Sequence, residues 1–104
     1  MERIEKLKEF LLADPRDFFV RHALALEYCK IGEEGTARRL WEAILEEDPS
    51  YVGSYYQLAK LLERTGEKEG ALHWYEKGMA AAKAAGDRRA YNELQAAYED
   101  LSDV

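Results

Sequence analysis

The sequence predicts an all-α protein of about six helices, paired as antiparallel hairpins and stacked as an α-solenoid. Three observations carry that prediction. The first is an internal repeat. Offset by 34 residues, positions 14–47 match positions 48–81 at eight of 34 pairs, where unrelated chains of ordinary composition would give roughly two or three. Asp14-Pro15 returns as Asp48-Pro49, Leu24-Ala25 as Leu58-Ala59, and Gly32-Glu33 as Gly66-Glu67. Ala37, Trp41 and Glu42 return as Ala71, Tyr75 and Glu76. A fixed period of this size marks supersecondary units that bury their apolar faces by stacking. The second is apolar spacing of three and four residues between glycine and proline breaks. The third is that no segment sustains the period-two alternation of a strand.

Each element follows from local chemistry. In residues 1–13, Ile4, Leu7 and Leu11 form one stripe with Phe10 beside it, and Glu2 precedes Lys6 by four, a favourable helix-surface order. Pro15 blocks continuation and biases Asp14 away from helical angles. Residues 17–31 form the second helix, with Asp17 as N-cap and Gly32 as the left-handed stop. Leu24, Ala25 and Tyr28 share its inner face, extended by Ile31, while Phe19, His22, Leu26 and Cys29 lie on the opposite face. A helix that is apolar on two faces calls for cover on both. Residues 33–47 form the third helix, with an inner stripe of Ala37, Leu40, Trp41, Ile44 and Leu45; Glu34, Arg38 and Glu42 make a solvated outer face of alternating sign.

Residues 50–65 form the fourth helix, with Ser50 as cap and Tyr55, Leu58, Ala59 and Leu62 inward. Residues 67–85 form a longer fifth helix with a stripe of Ala71, Trp74, Tyr75, Met79 and Ala82. Gly70 and Gly78 each cost about 1 kcal/mol relative to Ala in a helix interior, so close packing against a neighbour is expected there. Gly86-Asp87 is a stop followed by a new N-cap. In residues 88–101, Tyr91, Leu94, Tyr98 and Leu101 run along one side with Ala90 and Ala97. The expected organisation is one domain: a capping helix (1–13), a first repeat (17–49), a second repeat (50–85) and a terminal capping helix (87–101).

Bulk properties exclude several function classes. The chain has 104 residues, 47% hydrophobic and 35% charged, which suits a folded helical domain and not a disordered one. A net charge of −6 repels a phosphate backbone, and no basic stripe offsets it, so no nucleic-acid partner is expected. Apolar runs are far too short for a membrane span, and the charged start lacks a signal-peptide apolar segment. Cys29 is the one cysteine, so no internal disulfide forms and a reducing compartment is the natural setting. These together imply a cytoplasmic protein with no membrane partner.

The repeat resembles the tetratricopeptide repeat, a 34-residue helix pair with the pattern W-x2-L-G-x2-Y, then A-x3-F, then P. The first repeat matches at Leu24, Ala25, Tyr28, Ala37, Trp41 and Pro49. The second matches at Tyr55, Leu58, Ala59, Leu62, Ala71 and Tyr75, and the last helix repeats the first half through Tyr91, Leu94 and Tyr98. Arg21 stands where the pattern has tryptophan, Lys83 where it has proline and Gln95 where it has a small residue. The chain also looks like the short, free-standing tetratricopeptide proteins of bacteria. The resemblance implies a right-handed solenoid whose first helices line a concave groove.

No catalytic constellation emerges. Cys29 and His22 share a helix face, but seven residues separate them by about 10 Å of helix axis, too far for a nucleophile and its base. Two histidines and one cysteine in these places give no zinc spacing, and Glu46-Glu47-Asp48 reads as a solvated helix end. The Gly32–Gly35 stretch lacks the Lys-Ser/Thr continuation of a phosphate loop. No catalytic residue, metal or cofactor is expected.

The expected site is therefore the groove that the resemblance implies. Helical phase places Phe19, His22, Leu26 and Cys29 on it from the first repeat and Tyr56, Lys60 and Glu63 from the second, with Gly53 leaving space. Arg89 and Asn92 come from the last helix. The ligand this suggests is an extended or helical peptide with an apolar anchor and an acidic group, met by Phe19 and Tyr56 and oriented by Lys60, Arg89 and Asn92. Family members that bind chaperone tails use a clamp of Lys and Asn, and His22 and Leu26 stand in two of its places, so that ligand is not expected. The leading reading is a non-catalytic protein-interaction module. The alternative is a homo-oligomeric structural or assembly protein, a homodimer for example, that covers the same apolar surface with its own copy. An enzyme is a distant third.

Overall fold

The computed structural model describes residues 2–103. Six helices appear in it: α1 (Glu2–Ala13), α2 (Phe18–Lys30), α3 (Glu34–Glu47), α4 (Val52–Arg64), α5 (Lys68–Ala85) and α6 (Arg88–Ser102). No strand occurs among the described residues. The chain divides into two compact units, Met1–Glu47 and Asp48–Val104.

In the first unit α1 packs on α2 and α2 on α3. Ile4 and Leu7 of α1 and Leu24 of α2 form a buried cluster, with Leu11, Val20, Ala23, Tyr28 and Leu40 packed against it. Ala25 and Ala37 are fully buried, small enough to let α2 and α3 approach closely. Trp41, Ile44 and Leu45 complete the buried face of α3. In the second unit α4 packs on α5, α5 on α6, and α4 more lightly on α6. Leu58, Ala59, Leu61 and Leu62 of α4, Ala71, Tyr75 and Ala82 of α5, and Leu94 of α6 are buried. Burying one Leu or Phe side chain stabilises a fold by about 1.5–3 kcal/mol, so these residues dominate each unit's stability.

The repeat is visible bond by bond. Gly32 and Gly66, 34 residues apart, both have positive φ (82° and 83°). At the first, Glu33 N–H donates to the Tyr28 carbonyl (2.9 Å) and Gly32 N–H to the Cys29 carbonyl (3.1 Å). At the second, Glu67 and Gly66 do the same to Leu62 (2.8 Å) and Glu63 (3.2 Å). Gly86 repeats the motif at the end of α5. This pairing satisfies the last helical carbonyls, and its positive φ strains any residue with a Cβ. Asp14 and Asp48 likewise each accept from the backbone N–H two residues on, at 3.2 and 3.1 Å.

Asp17 caps α2 as expected, its Oδ1 accepting from Val20 N–H at 3.0 Å, and Asp87 caps α6 through Ala90 N–H at 3.0 Å. Ser50 does not cap α4. Its hydroxyl and its N–H both turn back to Asp48 Oδ1, and Tyr51 occupies the cap position without a side-chain bond. The Asp-Pro turn takes up Ser50 before the helix begins. Ile31 does not extend the inner face of α2: it is the C-cap and 46% exposed, because the chain has already left helical geometry. Phe10 is also largely exposed, at 54%.

The two interior glycines of α5 differ. A Cβ on Gly78 would meet Tyr55 Cβ at 2.7 Å and both Leu94 methyls at 3.1 Å, so α4 and α6 close on it from two sides. At Gly70 the first neighbour is Leu62 Cδ1 at 3.4 Å, so the close packing expected of both holds at Gly78 only.

Candidate functional site

The outer face of α2 carries the first group of expected groove residues. Phe19 is 75% exposed, while His22, Leu26 and Cys29 are half-buried. The expected cover over Phe19 is not supplied within the described chain. His22 is turned partly inward: its Nδ1 accepts a 3.1 Å bond from Trp41 Nε1–H, with the ring centroids 5.9 Å apart. Trp41 is buried and has a single polar donor, so without His22 that donor needs another partner. Burial holds the His22 pKa below its ordinary 6.5, which keeps the ring neutral and its Nδ1 lone pair available near pH 7.

A residue that sequence reasoning counted only as a departure proves structural. Arg21 is buried, stacks its guanidinium over Phe18 (5.2 Å to the ring centroid) and donates to Glu47 Oε2 at 2.7 Å. It fills a large-aromatic position with an apolar stem and a planar cation. The bond from Arg21 holds the Glu47 carboxyl below the usual carboxylate range. Nothing in helical spacing points to a pair 26 residues apart; only the meeting of α2 with the end of α3 does.

On α4 the structure brings Tyr56, Lys60 and Glu63 together. Tyr56 lies edge-on to buried Tyr75, with centroids 6.3 Å apart. Glu63 Oε1 accepts from the Tyr75 hydroxyl at 2.9 Å, and its Oε2 lies 3.8 Å from Lys60 Nζ. Lys60 also sits over the Tyr56 ring, 5.7 Å from its centroid. Burial first, then Glu63, pushes the Tyr75 pKa far upward, so its hydroxyl stays a donor. Glu63 and His22 thus serve the interior as well as the surface, which spacing alone did not reveal. Arg89 and Asn92 are exposed on α6, one turn apart. Among the described residues no group of three or more His, Cys, Asp or Glu is placed to hold a metal, and no helix is long and apolar enough to cross a membrane.

No family model matches the chain. The TPR repeat-containing protein PA0015 of Pseudomonas aeruginosa is 29% identical over 91 residues, covering 88% of this chain and 87% of its own. The solution structure of a tetratricopeptide repeat domain protein from Salinibacter ruber is 38% identical, covers 88% of this chain and 92% of its own, and superposes with a TM-score of 0.84. The yeast Sti1 TPR2B domain, solved in complex with pHsp70, shares the fold at a TM-score of 0.87 over 96% of this chain and 80% of its own, with 18% identity. Each unit's helix pairing, glycine stops and buried Ala-Trp or Ala-Tyr spacing match that pattern, and with 38% identity across nearly all of the Salinibacter ruber domain, the chain belongs to the tetratricopeptide repeat family.

Proposed function

We propose that this chain is a non-catalytic protein-interaction module that takes a peptide or protein segment on the exposed α2 face of its first unit. The observation that carries this reading is Phe19, a large aromatic 75% exposed beside half-buried Leu26 and Cys29. Aromatic residues supply the anchor contacts of protein interfaces. Within the second unit, Lys60 on α4 and Arg89 and Asn92 on α6 offer polar and basic groups to a partner's polar or acidic parts. The Sti1 TPR2B domain, which has the same fold, is solved in complex with pHsp70, and this supports a protein-binding reading.

Capture from cell lysate on immobilised protein tests the reading. Phe19→Ala is expected to leave the melting curve unchanged, because surface substitutions usually lie within about 0.5 kcal/mol of neutral, while retention of the partner drops. An unchanged set of captured proteins with Phe19→Ala would contradict it. Self-association is the second reading, favoured by Leu12 (85% exposed) and Phe10 (54%) in the same unit as Phe19. It predicts a solution mass of twice 12.0 kDa.

A further inference from the structure

Resting on that binding role, we infer that protonation of His22 switches the α2 face: the neutral ring lies inward on Trp41 and leaves the face to apolar contact, while the imidazolium turns outward and displaces an apolar segment bound there. The geometry makes the ring's role exclusive. Nδ1 accepts the Trp41 Nε1–H at 3.1 Å, so it carries a lone pair and the ring's one proton sits on Nε2. A solvent proton taken up at Nδ1 sets two donors against each other at that distance. Flipping the ring does not restore the bond, because both nitrogens of the imidazolium are donors.

Burial decides which of the two side chains moves. Trp41 is 1% exposed and locked in the buried face of α3. His22 is half-buried, three residues after Phe19 and four before Leu26. Side chains at those spacings are neighbours on a helix surface, so a ring leaving Trp41 comes out between them. An apolar segment laid over Phe19 and Leu26 then has to desolvate a cation, which is costly without a paired charge. Proton and segment therefore exclude each other, each lowering the affinity for the other by the same factor. The charges around His22 do not take part. In this unit α1 and α3 pack on α2. From α3, Arg38 is paired with Glu42 at 3.2 Å; from α1, Arg3 reaches Glu27 at 3.4 Å and Lys8 lies over the Tyr28 ring. On α2 itself Arg21 is turned to Glu47 at 2.7 Å, and the Cys29 thiol is two turns away, about 10 Å along the axis. Burial alone holds the ring neutral.

An NMR titration from pH 7.5 to 5 tests the switch in the Trp74→Phe chain, where the one remaining indole N–H signal is that of Trp41. His22→Gln, added to it, supplies an acceptor that does not titrate. The His22 ring, the Trp41 indole N–H and the Leu26 methyls are expected to move together, with one midpoint below pH 6.5, and the last two to stand still in His22→Gln. An indole signal that ignores the ring's titration, Leu26 methyls that do not follow it, or loss of the folded spectrum before the ring titrates overturns the inference. The functional arm compares Phe19-dependent retention of lysate proteins at pH 7.5 and pH 5. The ratio is expected to fall at least threefold for wild type and to stay near one for His22→Gln; the same fall in both overturns the switch. If nothing is retained through Phe19 at pH 7.5, the binding role fails while the spectra still decide the switch. If retention by wild type is equal at both pH values, the switch fails while the binding role stands.

Discussion

The two units are written on one 34-residue pattern and finished differently. Leu24 and Leu58, Ala25 and Ala59, and Ala37 and Ala71 occupy equivalent positions and are all buried. Where the two helices of a hairpin meet, the pattern is held. Position 41 and its equivalent 75 are both buried aromatics with one polar handle, yet the handle finds a different partner. Trp41 donates to His22, on α2, whereas Tyr75 donates to Glu63, seven residues beyond the position equivalent to His22. Ile44 is buried at a position where the second unit has Gly78. The glycine lets α5 come hard against Tyr55 and Leu94, which ties α6 into the second unit. What the pattern conserves is close helix approach; which polar group completes the interior is left to each unit.

The largest effect expected is on the shared positions. Leu24→Asp and Leu58→Asp each bury an unpaired carboxyl, a cost of several kcal/mol, and both are expected to abolish cooperative thermal unfolding. Persistence of a sharp transition in either would contradict the helix pairing of that unit. Next comes the contrast within α5. Gly78→Ala is expected to destabilise by about 1–3 kcal/mol through overpacking, despite the helix-propensity gain of about 1 kcal/mol, while Gly70→Ala is neutral or stabilising. Chemical denaturation of both variants reads the difference, and equal effects would remove Gly78 as the feature that sets the second unit apart. Tyr75→Phe is expected to cost about 1 kcal/mol, the usual worth of one hydrogen bond, and a stability unchanged within error would show that the Glu63 bond contributes nothing.

The smallest effect is a pH dependence confined to the first unit. The folded-state pKa of His22 is depressed by burial, so the unfolded chain takes up the proton first. Its contribution is full above pH 6.5 and falls as the pH drops below 6.5 toward the lower folded value. Glu27 and Glu47 are also held low, by Lys30 and Arg21 respectively, so their contributions are lost only below the ordinary carboxylate value of 4.5. Melting temperatures between pH 7.5 and 5 therefore isolate the histidine. The decline across that window is expected to shrink in His22→Gln, and an unaltered slope would deny His22 the role of neutral acceptor.

The division between what was legible and what was not follows the range of the interactions. Asp17, Asp87 and the glycines at 32, 66 and 86 act on backbone groups within six residues, so local spacing revealed their roles. The buried stripes follow helical period, although Leu61 is buried beside Leu58 and Leu62 and widens the inner face of α4 beyond the stripe read from the sequence. Two local motifs compete for Ser50, helix capping and the Asp-Pro turn, and the turn wins. The partners of Arg21, Trp41 and Tyr75 lie on other helices, where side-chain register, and not sequence spacing, decides the contact. At the candidate site, the residue types on the α2 and α4 faces were readable. The inward commitment of His22 and Glu63 was not.

The exposed aromatic on α2 is the centre of the functional account, and solution mass by light scattering across protein concentration tests it most directly. The account predicts 12.0 kDa at every concentration, with Phe19 left available to a partner. A stable species of twice that mass, split to monomer by Phe19→Glu, would contradict it and assign the same surface to self-association.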